Sequence, residues 1–200
     1  MFGFPKGDIV IFDFEWTSWP GSMAFNFKRP HEHRELVQIG AVLTEAETGK
    51  VPIKKSFESM IVPRFNPRLS DYFVGLTGIT QEKVDTEGVP FPHALSKFYK
   101  FCKGLTCWSV GKDDAVVLDE NCKIWDINCP FFGPETFFDI RDRLIAQGIL
   151  AEKYNSGNLT EIFGEPSVHP RHQGIADVLT VVDALRMLAE GKNIVPEAKK

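Results

Sequence analysis

The chain has 200 residues, 43% hydrophobic and 25% charged, with a formal charge of −4, which suits one compact domain and argues against a second full one. The acidic balance argues against a protein that grips duplex nucleic acid through a broad basic face, because such binding draws on many Lys and Arg contacts to phosphate. No apolar run approaches a membrane span, and the opening segment lacks the charged-then-apolar plan of a signal peptide; the expectation is a cytoplasmic protein that does not meet a membrane.

Residues 9–16, Ile-Val-Ile-Phe-Asp-Phe-Glu-Trp, read as an apolar strand that ends with two carboxylates one residue apart. Side chains two apart on a strand share a face, so Asp13 and Glu15 meet at one spot. Two unpaired negative charges that close are costly, and a hard divalent cation such as Mg²⁺ or Mn²⁺ removes the cost. The alternative is a strand that simply runs into a polar loop, and Asp-x-Glu is too short a pattern to decide. Residues 17–34, rich in Pro, Gly, Ser and charge, read as a long connecting loop beside that spot. A second strand over 36–43, a turn over 47–50 and a third strand from 53 to 62 make an antiparallel meander.

Residues 63–70 break the pattern, after which the chain reads as a short helix from Leu69, a Gly-bearing turn, and a helix capped by Thr80 with Val84 inward. Ala94, Leu95, Phe98 and Phe101 predict a helix over 93–102, stopped by Gly104, and a fourth strand follows over 105–110. Val117, Leu118, Cys122 and Trp125 give an amphipathic helix from Asp114; 135–140 is a fifth strand leading into a helix through Leu144, and 158–163 a short helix. The last helix runs from His172 to Ala189, and 191–200 is a charged tail. A meander followed by strands alternating with helices predicts one α/β domain over 1–190 with a five-stranded mixed sheet flanked by helices. Cys102, Cys107, Cys122 and Cys129 have no Cys-x-x-Cys spacing and read as core thiols. His169 and His172 lack a nearby cysteine or clear third ligand for a zinc site.

Further acids stand where elements begin. Val110-Gly-Lys-Asp-Asp114 leads from the fourth strand into a helix; by itself this is helix capping, which Asp113 fits. His172 and Asp177 lie about 140° apart on a helical wheel, so they converge only if the His stands at the helix mouth and the Asp inside. Otherwise both belong to the solvent face.

Taken together, these segments resemble the motifs of the DEDDh group of 3′-to-5′ exonucleases. Asp13-Phe-Glu-Trp-Thr17 is similar to the first motif, in the form of the branch that holds the histone-mRNA exoribonuclease and the bacterial sporulation inhibitor. The second motif has Gly three residues before its acid, and Gly111 so spaced selects Asp114 over Asp113; Trp108 is followed by Ser109-Val110-Gly111, a departure from the usual aromatic-Gly pair. His172-Gln-Gly-Ile-Ala-Asp177 reproduces the third. Residues 35–42 and 76–80 also resemble family segments, although Gln38 stands where relatives often have Glu, and the likeness spans residues 8–190.

The resemblance implies a ribonuclease H-like fold and a metal-dependent hydrolase that shortens single-stranded RNA or DNA from the 3′ end to nucleoside 5′-monophosphates. It implies two Mg²⁺ or Mn²⁺ ions held by Asp13, Glu15, Asp114 and Asp177, Asp13 bridging both, with His172 as general base. It places the terminal nucleotide against Leu76 and Thr77 and its sugar near Trp16 and Thr17. Leu76 reads equally as a core residue of its short helix. The 17–34 loop, with Phe25, Phe27, Lys28 and Arg29, either guides the strand or is only a connection. Two other readings stand beside this one: a catalytically silent nucleic-acid or protein binding module with the same fold, and a glycosidase using Asp13 and Glu15 as acid and base. RNA is favoured over DNA on subfamily resemblance alone, and the oligomeric state is left open.

Overall fold

The computed structural model describes residues 3–46, 50–131 and 136–199. Among them six strands, β1 (Ile9–Trp16), β2 (Leu36–Thr44), β3 (Lys55–Val62), β4 (Val89–Pro90), β5 (Cys107–Ser109) and β6 (Phe137–Asp139), form one sheet in the order β4-β3-β2-β1-β5-β6. β1 to β3 pair antiparallel, while β5 runs parallel to β1 and β6 parallel to β5. The expected mixed sheet is therefore present, with one strand more than predicted. β4 is two residues long and sits parallel at the β3 edge, where Pro90 has no N–H to waste on a ladder; two residues carry no readable periodicity. Residues 47–49 of the turn expected over 47–50, and residue 135 of the fifth strand expected over 135–140, lie outside the described residues.

Among the described residues six α-helices accompany the sheet: α1 (Asp71–Thr77), α2 (Gln81–Glu87), α3 (Phe91–Cys102), α4 (Asp113–Ile124), α5 (Ile140–Ile145) and α6 (Gly174–Ala189). Alternation along β1 decides which helix meets which residue. Val10, Phe12 and Phe14 face α3 and α4 through Phe91, Leu95, Phe98, Val117 and Leu118. Ile9 and Ile11 face α6 through Val178, Val181, Val182 and Leu185. Asp13 and Glu15 continue that second face, so the acids lie on the side where α6 begins.

Local signals set several boundaries. Ser70 accepts the Phe73 N–H and Thr80 the Lys83 N–H at the starts of α1 and α2. α3 starts two residues before the expected His93 because Pro92 suits a first turn. Asp113 is the first residue of α4 rather than its cap; Lys112 occupies the cap position and makes no capping bond. α6 starts at Gly174, two residues after the expected His172. The segment read as a charged tail docks by its backbone: Val195 N–H donates to the Ile162 carbonyl at 3.0 Å, Leu150 N–H to that of Ala198 at 2.9 Å, and Ala198 is buried. Cys102, Cys107 and Cys122 are buried free thiols and Cys129 is partly buried. No described helix is long and apolar enough to cross a membrane.

Candidate active site

The end of β1 lies between two unequal neighbours. β2 follows it throughout, with Asp13 opposite Gly40 and Glu15 opposite Gln38, whereas β5 accompanies it only at Val10 and Ile11. The Phe14 N–H lies beyond the last β5 partner, and Asp114 Oδ1 accepts it at 3.1 Å. This bond pins the start of α4 to β1 and puts Asp114, buried, beside Asp13, while Asp113 stays exposed at the rim.

A second close approach brings in α6. A Cβ on Gly40 would lie 2.2 Å from the Ile175 nitrogen, and one on Gly174 3.1 Å from the Asp13 carbonyl oxygen, so only two glycines let this helix start land on the sheet. Gln38 completes the join: its Oε1 accepts the Gly174 N–H at 2.8 Å and its Nε2 donates to Glu58 at 2.7 Å. Asp177, in the first turn of α6, is buried, and both its oxygens accept the His172 N–H, at 3.2 and 3.1 Å. His172 itself stands outside the helix with φ of 58°. The left-handed turn at its mouth folds the imidazole back, so Glu15, His172 and Asp177 offer ligand atoms all within 4.8 Å of one another. The 3₁₀ segment Ser156–Phe163 closes against them, a Cβ on Gly157 falling 2.8 Å from Asp177 Oδ1.

Asp13, Glu15, Asp114 and Asp177 are 7%, 9%, 5% and 3% exposed. Burial, with the neighbouring acids adding to it, holds Asp13 and Glu15 well above the ordinary carboxylate range. Burial pushes Asp114 and Asp177 up to about 7, against the pull of the Phe14 and His172 N–H bonds. Among the described residues none of the four forms an ion pair with Lys or Arg. Burial lowers His172, with Arg171 adding to the effect, so its imidazole is neutral at neutral pH. A cluster of oxygen donors short of positive charge, with one imidazole at its edge, fits Mg²⁺ or Mn²⁺ better than a softer ion.

The acids line an open cleft of about 600 Å³, whose other lining residues include Trp16, Trp19, Met23, Phe27, Tyr72 and Leu76. Leu76 is 39% exposed there and is not a core residue. Thr77 also lines the cleft, but its hydroxyl donates to the Phe73 carbonyl and accepts the Ile79 N–H. Thr17 does not line it; its hydroxyl donates to the His33 carbonyl and accepts the Glu35 N–H, tying the 17–34 loop at its base. In that loop Phe27 reaches the cleft, while Phe25 is exposed with the Arg29 guanidinium over its ring. Arg141, Asn155 and Ser156 also stand on the cleft wall without a readable sequence signal, Arg141 in a six-residue helix and Asn155 and Ser156 at the start of the 3₁₀ segment.

Residues 10–185 match the exonuclease family RNase_T. The chain is 37% identical over 93 residues to ERI1 exoribonuclease 2 of Homo sapiens, covering 46% of this chain and 12% of that protein. It is 36% identical over 101 residues to the 3′-5′ exonuclease Snipper of Drosophila melanogaster, covering 50% and 33%. It therefore spans only a minor part of the curated relatives it matches. The nuclease domain of 3′hExo, a DEDDh family member solved with rAMP bound, superposes with a TM-score of 0.76 at 25% identity, covering 96% of this chain and 97% of that one. Because the family match runs from β1 through α6, and so takes in every acid of the cluster, the chain belongs to the RNase_T exonuclease family, with the ribonuclease H-like fold of its DEDDh group.

Proposed function

We propose that this protein is a 3′-to-5′ exonuclease that hydrolyses the terminal phosphodiester bond of single-stranded RNA, and of DNA less readily, releasing nucleoside 5′-monophosphates. The observation that carries this reading is the convergence of four buried carboxylates and one neutral imidazole beside an aromatic cleft. The preference for RNA is supported by similarity to a 3′-exonuclease solved in 3′-end specific recognition of a histone mRNA stem-loop, and to the rAMP-bound domain.

Asp13, Glu15, Asp114 and Asp177, the four buried acids of the cleft, would hold two divalent ions. When bound, such ions offset charge on the phosphate and the leaving oxygen and make a water a stronger nucleophile. The chain's own residues do the rest. His172, kept neutral, accepts the proton of the attacking water at a ring nitrogen. Leu76 and the indole of Trp16 offer apolar surface to the terminal base and sugar, which favours strands whose bases are free to unstack. Thr17 and Thr77, their hydroxyls already engaged, contribute by fixing the backbone on either side of that surface.

The test is a time course on 5′-labelled single-stranded RNA and DNA with Mg²⁺, Mn²⁺ or chelator. Stepwise shortening from the 3′ end, release of 5′-monophosphates, arrest in chelator and loss in a folded Asp13→Ala variant are expected. Oligomers left intact under every condition would reject the reading, leaving a binding module. Hydrolysis that survives chelator would reject the metal site.

A further inference from the structure

Arg141 is the single Lys or Arg among the described residues lining the acidic cleft. It sits in the first turn of α5, where Asp139 fixes its guanidinium on one edge: Nε donates to Oδ1 and Oδ2 at 3.2 and 3.1 Å, and Nη2 to Oδ2 at 2.9 Å. Asp139 is itself held, its Oδ1 accepting the N–H groups of Gly111 and Arg141, both at 2.9 Å. The guanidinium is thus oriented from behind. Its Nη1 makes no hydrogen bond among the described residues, and its side chain is 27% exposed.

Gly111 couples this arrangement to the acids. Its φ is +113°, and a Cβ there would lie 3.0 Å from Arg141 Nη2. The glycine three residues before Asp114 therefore also makes room for the Arg. Capping α5 needs only the Asp139 carboxylate and the Arg141 backbone N–H, so it does not account for a guanidinium drawn to the cleft. A polyanionic strand approaching four carboxylates needs a fixed positive group nearby, and a planar fork with one edge held is suited to phosphate oxygens.

We propose that Arg141 is a strand-anchoring residue, gripping a backbone phosphate through the edge of the guanidinium that Asp139 leaves open. The proposal rests on the nuclease reading and names how the same cleft holds its polymer. It is tested by fluorescence anisotropy of a labelled single-stranded RNA of about 12 nucleotides across a range of salt, in chelator, with wild type, Arg141→Gln and Arg141→Lys, alongside steady-state kinetics in Mg²⁺. Arg141→Gln is expected to weaken binding roughly 10-fold and to lower the slope of log affinity against log salt by about 0.7, the share of one phosphate contact on a single strand. Arg141→Lys keeps the slope and loses part of the affinity. In Mg²⁺, KM rises by a similar factor with kcat nearly unchanged.

A wild-type slope and KM in Arg141→Gln, with a lowered melting temperature alone, would overturn the proposal and leave Arg141 as the partner of Asp139. The two readings fail separately. If wild type binds the strand without shortening it, the nuclease reading falls and the slope still judges Arg141; if wild type shortens the strand and Arg141→Gln matches it, Arg141 alone is wrong. A wild-type protein that binds no strand overturns both.

Discussion

Glu35, 1% exposed, is as deeply buried as the acids of the cleft, but its surroundings are the reverse of those of Glu15. Its Oε1 accepts the backbone N–H groups of Arg64 and Phe65 at 2.5 and 2.8 Å, and its Oε2 accepts the backbone and side-chain N–H of Asn66 at 2.7 and 3.0 Å. Four donors from one loop surround a single charge and tie that loop to the start of β2. Glu15, near the end of β1, accepts no hydrogen bond from the described residues, and the acids beside it oppose its charge. A buried carboxylate satisfied by its own chain is structure; one left short of positive charge is arranged for something that arrives from outside.

Substitutions at the two places separate these roles. The largest effect is expected at Asp13, whose buried carboxyl feels the charges of Asp114, Glu15 and Asp177: Asp13→Asn should slow 3′-end hydrolysis by more than roughly 10³-fold with the fold intact, measured as initial rate against circular dichroism. Glu35→Gln should instead cost about 3 kcal/mol of stability, because an amide group is turned towards donors that need an acceptor; denaturant unfolding measures it. His172→Ala should reduce the rate on the order of 10²-fold and flatten its rise with pH, while metal affinity changes far less. Glu15→Gln sharpens the contrast most. In chelator near pH 8 it should stabilise the protein, and the gain should vanish near pH 4, where the folded Glu15, its carboxyl raised by burial and the neighbouring acids, already carries a proton. The same change of residue is thus destabilising at Glu35 and stabilising at Glu15.

Much of this could be read from the sequence because it is local. The meander, the placement of Asp13 and Glu15 on one face, and the apolar stripe of α6 follow from spacing alone. What could not be read depends on distant partners. His172 and Asp177 look misaligned on a continuous helix; they converge because the helix starts at Gly174, and that start is set by Gly40, more than a hundred residues earlier. Gln38 reads as a departure from the family pattern until its bond to the Gly174 N–H is known. Leu76 reads equally well as core, because a seven-residue helix gives too few turns to tell its faces apart. Arg141 does not stand out in the sequence because three residues of β6 and six of α5 carry no usable period.

Thermal unfolding across pH, with and without a divalent ion, bears most directly on the claim that the cleft acids form a cation site. Asp114 and Asp177 titrate at about 7 in the folded protein, well above their value in an unfolded chain. In chelator the folded state therefore holds protons that the unfolded chain has released, and stability should fall as pH rises from about 4 through about 7. Mg²⁺ or Mn²⁺ should restore it, more at about pH 8 than at about pH 5, and should do so in wild type but not in Asp13→Asn. An unchanged melting temperature on adding either ion at about pH 8, or an equal rise in Asp13→Asn, would contradict the site.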